Sequence, residues 1–161
     1  YLTEGIILNS NESPYGAPEA LVEYMKEHVG DLLVNRYPDT DSSKLIAAIS
    51  KAYDVEAEQV TCGVGSDELI DCILASCLDE DDQVLIPYPS FSMYSEFTLL
   101  NNGMGIKVPL KSDFTYDIEA MKKVIEEKQP KVIFICNPNN PTGFTFSKND
   151  IKYILEIHLK Q

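Results

Sequence analysis

Two hydrophobic spacings alternate along this chain, and each predicts a different secondary structure. Apolar residues three and four positions apart, which are typical of one helix face, recur in six segments. These segments begin near Pro18, Asp41, Ser66, Phe91, Asp117 and Ser147. Short apolar and β-branched runs between them predict strands at residues 60–62, 84–86, 106–110 and 131–136. Since strands that alternate with helices form βαβ units, we expect an α/β fold, a mostly parallel sheet with flanking helices.

Residues at the ends of these segments predict where several elements start or stop. The run Asp41-Ser42-Ser43 has the short polar side chains that cap helix N-termini, and Asp117 is expected to cap a later helix. Ser147, followed three residues later by Asp150, has the spacing of a capping box before the last helix. Pro87 is expected to end the strand before it because proline has no backbone N–H.

The helical spacing also selects the apolar side chains that are expected to face a core. They are Leu45, Ile46, Ile49 and Tyr53 in the second helix, Leu69, Ile70, Ile73, Leu74, Cys77 and Leu78 in the third, Ile118, Met121, Val124 and Ile125 in the fifth, and Ile151, Ile154 and Leu155 in the last.

Composition and charge limit the partners of this protein. With 161 residues, 44% of them hydrophobic, the chain is long enough for one globular domain with a core. The formal net charge of −13 disfavours nucleic acid and anionic membrane surfaces. Because no apolar run approaches a membrane span and no signal segment begins the chain, we expect a cytoplasmic protein.

The four cysteines, Cys62, Cys72, Cys77 and Cys136, do not form a C-x-x-C pair. At these spacings a metal site is a less common use of cysteine than a reduced thiol. We therefore expect buried, reduced thiols, as in cytosolic proteins.

Three turns after predicted strands are candidate binding segments, and the first spans residues 63–68. Its sequence, Gly-Val-Gly-Ser-Asp-Glu, places backbone N–H groups at a helix N-terminus, where anions bind and where glycine allows close approach. The carboxylates of Asp67 and Glu68 would have to point away from a bound phosphate. The turn matches neither the dinucleotide fingerprint nor a P-loop. Taken alone, it is more typical of an ordinary glycine-rich turn.

The second and third turns, residues 87–94 and 137–143, add an aromatic face and an amide. The 87–94 turn carries aromatic residues beside prolines, which can stack on a flat ring or simply cover the core. The 137–143 turn contains two Asn-Pro steps that restrict its backbone, so the Asn140 carboxamide is expected to be held in place. Because ligands of open α/β sheets bind at the carboxyl ends of strands, the three turns are expected to converge on a site for a flat, phosphorylated heteroaromatic ring.

Four segments together resemble a known family. LNSNESPYG, NRYPD, GVGSDELI and PNNPTG occur in the order found in the fold-type I, pyridoxal-phosphate-dependent aminotransferases. The last motif is specific to that superfamily, and the other three favour its histidinol-phosphate aminotransferase branch. The resemblance implies an incomplete large domain, with residues 1–34 as an N-terminal arm and first helix and residues 35–161 as the N-terminal part of the cofactor-binding large domain.

The resemblance implies roles for five residues at the cofactor. Gly65, Ser66, Asp67 and Glu68 would surround the phosphate of pyridoxal 5'-phosphate. Phe91 would stack on its pyridine ring.

Four more residues have implied roles elsewhere in the site. Asn140 would hydrogen-bond the phenolic oxygen of the cofactor ring. Tyr37 would reach the cofactor phosphate of a partner subunit, which implies a homodimer. Asn11 and Tyr15 would line the substrate entrance.

The activity implied is transfer of an amino group between histidinol phosphate and 2-oxoglutarate. The family has a Schiff-base lysine, an aspartate at the pyridine nitrogen and a substrate-binding arginine. All three come later in the family's sequences than the position that corresponds to Gln161. No residue of this chain is therefore assigned as catalytic, and these 161 residues alone are expected to be inactive. A threonine-phosphate decarboxylase and an aromatic aminotransferase are alternatives within the superfamily. A non-catalytic α/β binding module is the alternative of another class.

Overall fold

The computed structural model describes residues 5–8 and 10–159. The chain divides into two compact units, with the boundary after Lys44. The described part leaves out residues 1–4, 9, 160 and 161. The two domain ranges expected from the sequence, 1–34 and 35–161, include these residues. The helices are α1 Glu19–His28, α2 Ser43–Tyr53, α3 Gly65–Cys77, α4 Met93–Leu100, α5 Ile118–Lys128 and α6 Lys148–His158, and the strands are β1 Gln83–Tyr88, β2 Met104–Pro109 and β3 Val132–Ile133. Single 3₁₀ turns occur at Val29–Asp31 and Ala57–Gln59.

The strands form one parallel sheet in the order β2-β1-β3, which confirms the expected α/β architecture. Leu85 lies opposite Ile106 on β2 and opposite Ile133 on β3. The central strand β1 is buried from Val84 to Pro87, as expected for a parallel strand that is covered on both faces.

The two faces of β1 contact separate hydrophobic clusters. Leu85 packs into a cluster with residues of α5 and α6, including Met121 and Ile154. Val84 and Ile86 point to the opposite face, where Leu74 of α3 completes a smaller cluster. This alternation follows from the period of two along a strand, so the sheet lies between α5 and α6 on one face and α3 on the other.

Two strand predictions differ from the structure near Pro87. The strand does not end at Pro87 but continues to Tyr88, while β3 pairs over two residues instead of the expected 131–136. The backbone N–H groups of Lys131 and Phe134 donate to Gln83 O and Leu85 O of β1. Alternate residues of β1 therefore direct their backbone hydrogen-bonding groups toward β3. The missing N–H of Pro87 therefore falls on the β3 side. The β2 side of the ladder stays intact, and the β3 side loses its next donor.

Residues 60–62, expected to form a strand, have no strand assignment. Val60 has extended dihedral angles, φ −118° and ψ 127°. A β-strand is stabilised by a ladder of hydrogen bonds to a neighbour, and within the described residues 60–62 do not pair with another segment. The prediction was correct about the extended backbone and wrong about the strand.

The expected caps of α5 and α6 are confirmed, and that of α2 is corrected. Asp117 accepts from Ala120 N at 3.0 Å, and Ser147 and Asp150 form the capping box. At α2 the acceptor is Asp39, which bonds Ser43 N at 2.8 Å and also the Ser43 hydroxyl. The side-chain hydrogen bond from Ser43 is the main cause that lowers the pKa of Asp39.

Several side chains that were expected to be inward are exposed. The exceptions on α2 are Leu45 and Tyr53, on α3 Ile73 and Cys77, and on α6 Leu155. On α5 the prediction holds, because Met121 and Ile125 are buried. Helical spacing identifies which side chains share a face, but not what covers that face.

The cysteines are free but not all buried. Cys72 and Cys77, on α3, are exposed, while Cys62 and Cys136 are half-buried. The expectation of buried thiols was therefore wrong for the two on α3, because α3 buries only Leu74 fully.

One ion-pair cluster joins the loop before β1 to the chain just before β3. Lys131 Nζ lies 2.6 Å from Asp82 and 3.1 Å from Asp79. The hydrogen bond to Asp82 is the largest cause that raises the pKa of Lys131, and the same bond lowers the pKa of Asp82. These groups lie at the amino ends of β1 and β3, whereas the 87–94 and 137–143 turns follow the carboxyl ends of the same strands. Within the described residues, no helix is long and apolar enough to cross a membrane.

Candidate functional site

The 137–143 turn is built around a side chain that the sequence did not single out. Asn139 is 2% exposed. Its Nδ2 donates to Pro89 O at 3.0 Å and to Thr142 Oγ1 at 2.8 Å, and its Oδ1 accepts from Ser90 Oγ at 2.7 Å. We call these three contacts the Asn139 bridge. The bridge joins the 137–143 turn to the 87–94 turn.

The backbone of Asn139 closes the same turn. Asn139 N donates to Phe144 O at 2.7 Å, and Gly143 N donates to Asn139 O at 2.7 Å. Gly143 has φ +75°, a conformation that glycine adopts without a steric penalty. The peptide bonds before Pro89, Pro138 and Pro141 are cis.

Asn140, the expected ligand of the ring oxygen, is half-buried beside the bridge. Its backbone N–H donates to Cys136 Sγ at 3.3 Å. The residue is thus held on one side by the last residues after β3 and on the other by Asn139. These contacts hold the backbone of Asn140, while the expected position of its carboxamide stays a prediction.

A buried tyrosine anchors the residue that precedes the 137–143 turn. Tyr116 donates from its hydroxyl to Cys136 O at 2.6 Å, and its ring stacks on Phe146 at a centroid distance of 3.5 Å. Burial raises the pKa of Tyr116 above the usual tyrosine range. Asn137 adds a third anchor, because its Oδ1 accepts from Phe146 N at 3.0 Å.

The aromatic residues of the 87–94 turn contact one another and the chain after β3. Phe91 is half-buried and meets Tyr94 edge to face, with ring centroids 5.5 Å apart. Tyr94 in turn stacks on Phe134, with centroids 4.2 Å apart and an angle of 16°. Burial, followed by the nearby Cys136, raises the pKa of Tyr94 above its usual range. A continuous aromatic contact therefore supports Phe91 from the chain after β3.

The 63–68 turn is exposed along its whole length. The Glu68 carboxylate does not point away from the turn but folds back and accepts the Val64 N–H. Gly65, the first residue of α3, has φ +84°. At Gly63 a Cβ would lie 2.6 Å from Glu68 Oε2, so glycine is what allows this contact.

The remaining expected site residues lie in the N-terminal unit. Tyr37 is 99% exposed and Tyr15 is 85% exposed. Asn11 has φ +52°, and Ser13 Oγ accepts the Tyr15 N–H at 3.2 Å. These side chains are open to solvent in this unit.

The structure brings two of the three candidate turns together. Phe91 and Asn140 each adjoin a residue of the Asn139 bridge in the sequence, namely Ser90 and Asn139. Among the described residues, no hydrogen bond joins the 63–68 turn to either of the other two. The sequence missed Asn139, Ser90 and Thr142, although two adjacent asparagines in a proline-restricted turn were a signal that one of them is structural.

The two joined turns fit a flat ring, and the 63–68 turn separately fits an anionic group. Phe91 offers an aromatic face and Asn140 offers an amide. The N-terminus of α3 offers backbone N–H groups and the positive end of a helix dipole. A phosphate there requires the Glu68 carboxylate to rotate away from Val64, which its exposed position permits.

Comparison with known protein families identifies the family of the chain. The model for the family "aminotransferase class I and II" matches residues 3–161. The chain is 38% identical over 149 residues to histidinol-phosphate aminotransferase of Thermoanaerobacter sp. (strain X514), covering 92% of this chain and 42% of that protein. It is 36% identical over 150 residues to the chloroplastic histidinol-phosphate aminotransferase of Nicotiana plumbaginifolia, covering 93% of this chain and 36% of that protein. The chain spans about two fifths of the length of the curated relatives it matches.

Solved structures show the same fold. Histidinol-phosphate aminotransferase from Sinorhizobium meliloti, in complex with pyridoxal-5'-phosphate, has a TM-score of 0.83 at 18% identity and covers 92% of this chain and 39% of that one. Alanine aminotransferase from Pyrococcus furiosus has a TM-score of 0.80 at 25% identity and covers 91% of this chain and 39% of that one. The fold expected from the sequence is confirmed.

Proposed function

Because the chain belongs to the aminotransferase class I and II family, we propose that it forms the N-terminal part of a pyridoxal-phosphate-dependent histidinol-phosphate aminotransferase. The observation that carries this proposal is the family match over residues 3–161, together with 38% identity to a histidinol-phosphate aminotransferase. The geometry adds support, since Phe91 and Asn140 lie on turns that the Asn139 bridge joins.

The proposed reaction moves an amino group from histidinol phosphate to 2-oxoglutarate in histidine biosynthesis. When bound, the cofactor supplies an electron sink for the carbanion that forms at the amino carbon. Phe91 contacts the face of the cofactor ring, and Asn140 donates from its amide to the ring's phenolic oxygen. Gly65, Ser66, Asp67 and Glu68 surround the phosphate.

The wider organisation is part of the same proposal. Residues 1–34 form an arm and first helix, and residues 35–161 begin the cofactor-binding large domain. Tyr37 contacts the cofactor phosphate of a partner subunit in a cytoplasmic homodimer, and Asn11 and Tyr15 line the substrate entrance. The exposure of Tyr37 and Tyr15 in the N-terminal unit is consistent with these roles.

The cofactor assignment is tested by titrating the full-length protein with pyridoxal 5'-phosphate and measuring the dissociation constant by fluorescence. We expect Asn140→Ala to raise that constant about tenfold, because one hydrogen bond to a polar ring group is lost. Asn149→Ala, at an exposed asparagine of α6, is the matched control and should leave it unchanged. Absence of cofactor binding by the unaltered protein would favour the non-catalytic binding module.

The substrate assignment is tested by incubating the loaded full-length protein with 2-oxoglutarate and one donor at a time, and measuring glutamate. Histidinol phosphate should give the highest kcat/KM. A preference for an aromatic amino acid would favour the aromatic aminotransferase, and release of carbon dioxide from threonine phosphate would favour the decarboxylase. The 161 residues alone are expected to give no turnover, which the same assay measures.

A further inference from the structure

The Asn139 bridge has a chemical orientation that the structure determines. Pro89 O can only accept a hydrogen bond, so the atom of Asn139 that faces it at 3.0 Å is Nδ2. Oδ1 then faces Ser90 Oγ, which donates to it at 2.7 Å. The second proton of Nδ2 is directed to Thr142 Oγ1 at 2.8 Å. Every polar atom of this side chain therefore has a partner.

The bridge spans a large separation in the sequence. It connects residues 49 and 50 positions apart, from loops that follow two different strands, β1 and β3. Because Asn139 is 2% exposed, its carboxamide depends on these protein partners, and truncation removes the Asn139 hydrogen bonds of the half-buried residues Pro89 and Ser90.

The partners of the bridge are the immediate neighbours of the two residues proposed to contact the cofactor ring. Ser90 precedes Phe91, and Asn139 precedes Asn140. The position of the aromatic face relative to the amide therefore depends on contacts that Asn139 makes. Asn140 itself is bonded through its backbone to Cys136, which holds it to its own turn but not to the 87–94 turn.

We propose that Asn139 is a positioning residue: its buried carboxamide sets the distance and angle between the Phe91 ring and the Asn140 amide, so that both contact one planar cofactor ring. It acts through these two residues and does not touch the ring. This inference rests on the proposed function, in which Phe91 and Asn140 contact the cofactor. The structure provides a matched control in Asn101, whose Nδ2 also donates twice, to Asp71 Oδ1 at 2.7 Å and to Phe97 O at 2.9 Å, at the contact between α3 and α4.

The test compares Asn139→Ala with Asn101→Ala in the full-length protein. Both variants should lower the melting temperature. Asn139→Ala should also raise the dissociation constant of pyridoxal 5'-phosphate by at least about tenfold, because loss of the Asn139 hydrogen bonds releases the two turns from each other. It should change the circular dichroism band of the bound cofactor, since that band depends on ring orientation. Asn101→Ala should change neither cofactor readout.

Two milder variants keep the test decisive if Asn139→Ala does not fold. Ser90→Ala and Thr142→Val each remove one partner of the bridge at little change in volume. Each should weaken cofactor binding by about threefold and shift the same circular dichroism band, in proportion to one lost neutral hydrogen bond.

Three outcomes would overturn the inference in distinguishable ways. If the unaltered full-length protein binds the cofactor and the bridge variants bind it with the same constant and the same band, Asn139 is only a structural residue. If the bridge variants and Asn101→Ala weaken binding equally, the effect is general destabilisation. If the unaltered protein binds no cofactor, the proposed function fails and this inference fails with it.

Discussion

The 137–143 turn and the 63–68 turn both follow an extended segment of the chain, but they are stabilised in opposite ways. The 137–143 turn contains a buried side chain with three hydrogen bonds, and Tyr116 anchors its start. The 63–68 turn is exposed throughout, and its single side-chain contact to the backbone is the Glu68 carboxylate on Val64 N–H.

The contrast separates two ways of preparing a binding segment. Buried neutral hydrogen bonds determine a geometry, because leaving one of them unmade costs the full desolvation of a polar group. An exposed carboxylate on a backbone N–H holds a turn weakly, because water can replace it. The first arrangement suits a rigid ring contact, and the second suits an anion that must enter and leave.

The largest effect should come from weakening the anchored turn at Tyr116. Tyr116→Phe leaves Cys136 O without its buried donor, so the free energy of unfolding should fall by about 1–3 kcal/mol, as measured by denaturant unfolding of the full-length protein. Tyr53→Phe removes the same hydroxyl from an exposed ring and should change stability by less than about 0.5 kcal/mol. Equal losses in the two variants would show that the Tyr116 hydroxyl is not an anchor.

Tyr116 also predicts a pH dependence. Its pKa is raised in the folded protein, while the unfolded value is about 10. The stabilisation is therefore fully present below about pH 10 and is lost as the pH rises through the folded-state pKa. Tyr116→Phe should lose less stability than the unaltered protein in the same alkaline titration, followed by circular dichroism. An identical alkaline decline would contradict this assignment.

A smaller effect should follow from opening the exposed turn. In Gly63→Ala the new Cβ would lie 2.6 Å from Glu68 Oε2 and 3.0 Å from Leu69 Cδ2, so the carboxylate must shift from its contact with Val64 N–H and the Leu69 side chain must give way. The expected cost is about 1 kcal/mol, the value of one net hydrogen bond, measured by thermal unfolding. Gly30→Ala is the control, since a Cβ there meets nothing within 4 Å. A stability equal to that of the control would mean that the Glu68 contact does not hold the turn.

A still smaller change should separate the shape of Glu68 from its charge. Glu68→Gln keeps an oxygen that can accept the Val64 N–H but removes a negative charge beside the proposed phosphate site. The dissociation constant of inorganic phosphate from the full-length protein should fall by about twofold to threefold, as one exposed like charge is removed. Glu58→Gln, also exposed, controls for net charge. Weaker phosphate binding in Glu68→Gln would instead make the carboxylate a necessary part of the site.

The smallest effect concerns the turn before α2, residues 39–43, which is closed by the exposed Asp39 carboxylate. The 63–68 turn is closed in the same way by Glu68. The pKa of Asp39 is lowered mainly by the Ser43 hydrogen bonds. Its stabilisation is present above the unfolded pKa and is lost as the pH falls through the folded one. Asp39→Asn should therefore flatten the acid side of a plot of melting temperature against pH, whereas Asp31→Asn should not. The same acid slope in both variants would argue against this cap.

Sequence patterns predicted the parallel sheet and the aromatic and amide turns because these depend on local spacing and on proline chemistry. They did not predict that the β1–β3 ladder stops beside Pro87, since that depends on which side of β1 the missing N–H faces. The cap of α2 was misplaced for a similar reason. Asp39 reaches Ser43 because Ser42 has φ +51°, a backbone turn that the residue types alone do not reveal.

Asn139 shows the same limit at the candidate site. Its sequence neighbours, two prolines and a second asparagine, identify a rigid turn. Its partners Pro89 and Ser90 are about fifty positions away in sequence, so only the folded sheet reveals which of the two asparagines is buried. Local sequence predicts that a polar residue is held, while tertiary contacts decide which one is structural and which one faces a ligand.

The position of the Glu68 carboxylate also affects how fast an anion can be captured. With Val64 N–H already bonded to this side chain, the turn has its loop shape before any ligand arrives. Capture is then an exchange of one anion for another, and its slow step need not include folding of a loop. Rotation of an exposed side chain takes picoseconds to nanoseconds, whereas loop motions extend to microseconds. The net charge of these 161 residues is −13, so their repulsion of an approaching anion should weaken with ionic strength, and the association rate should rise.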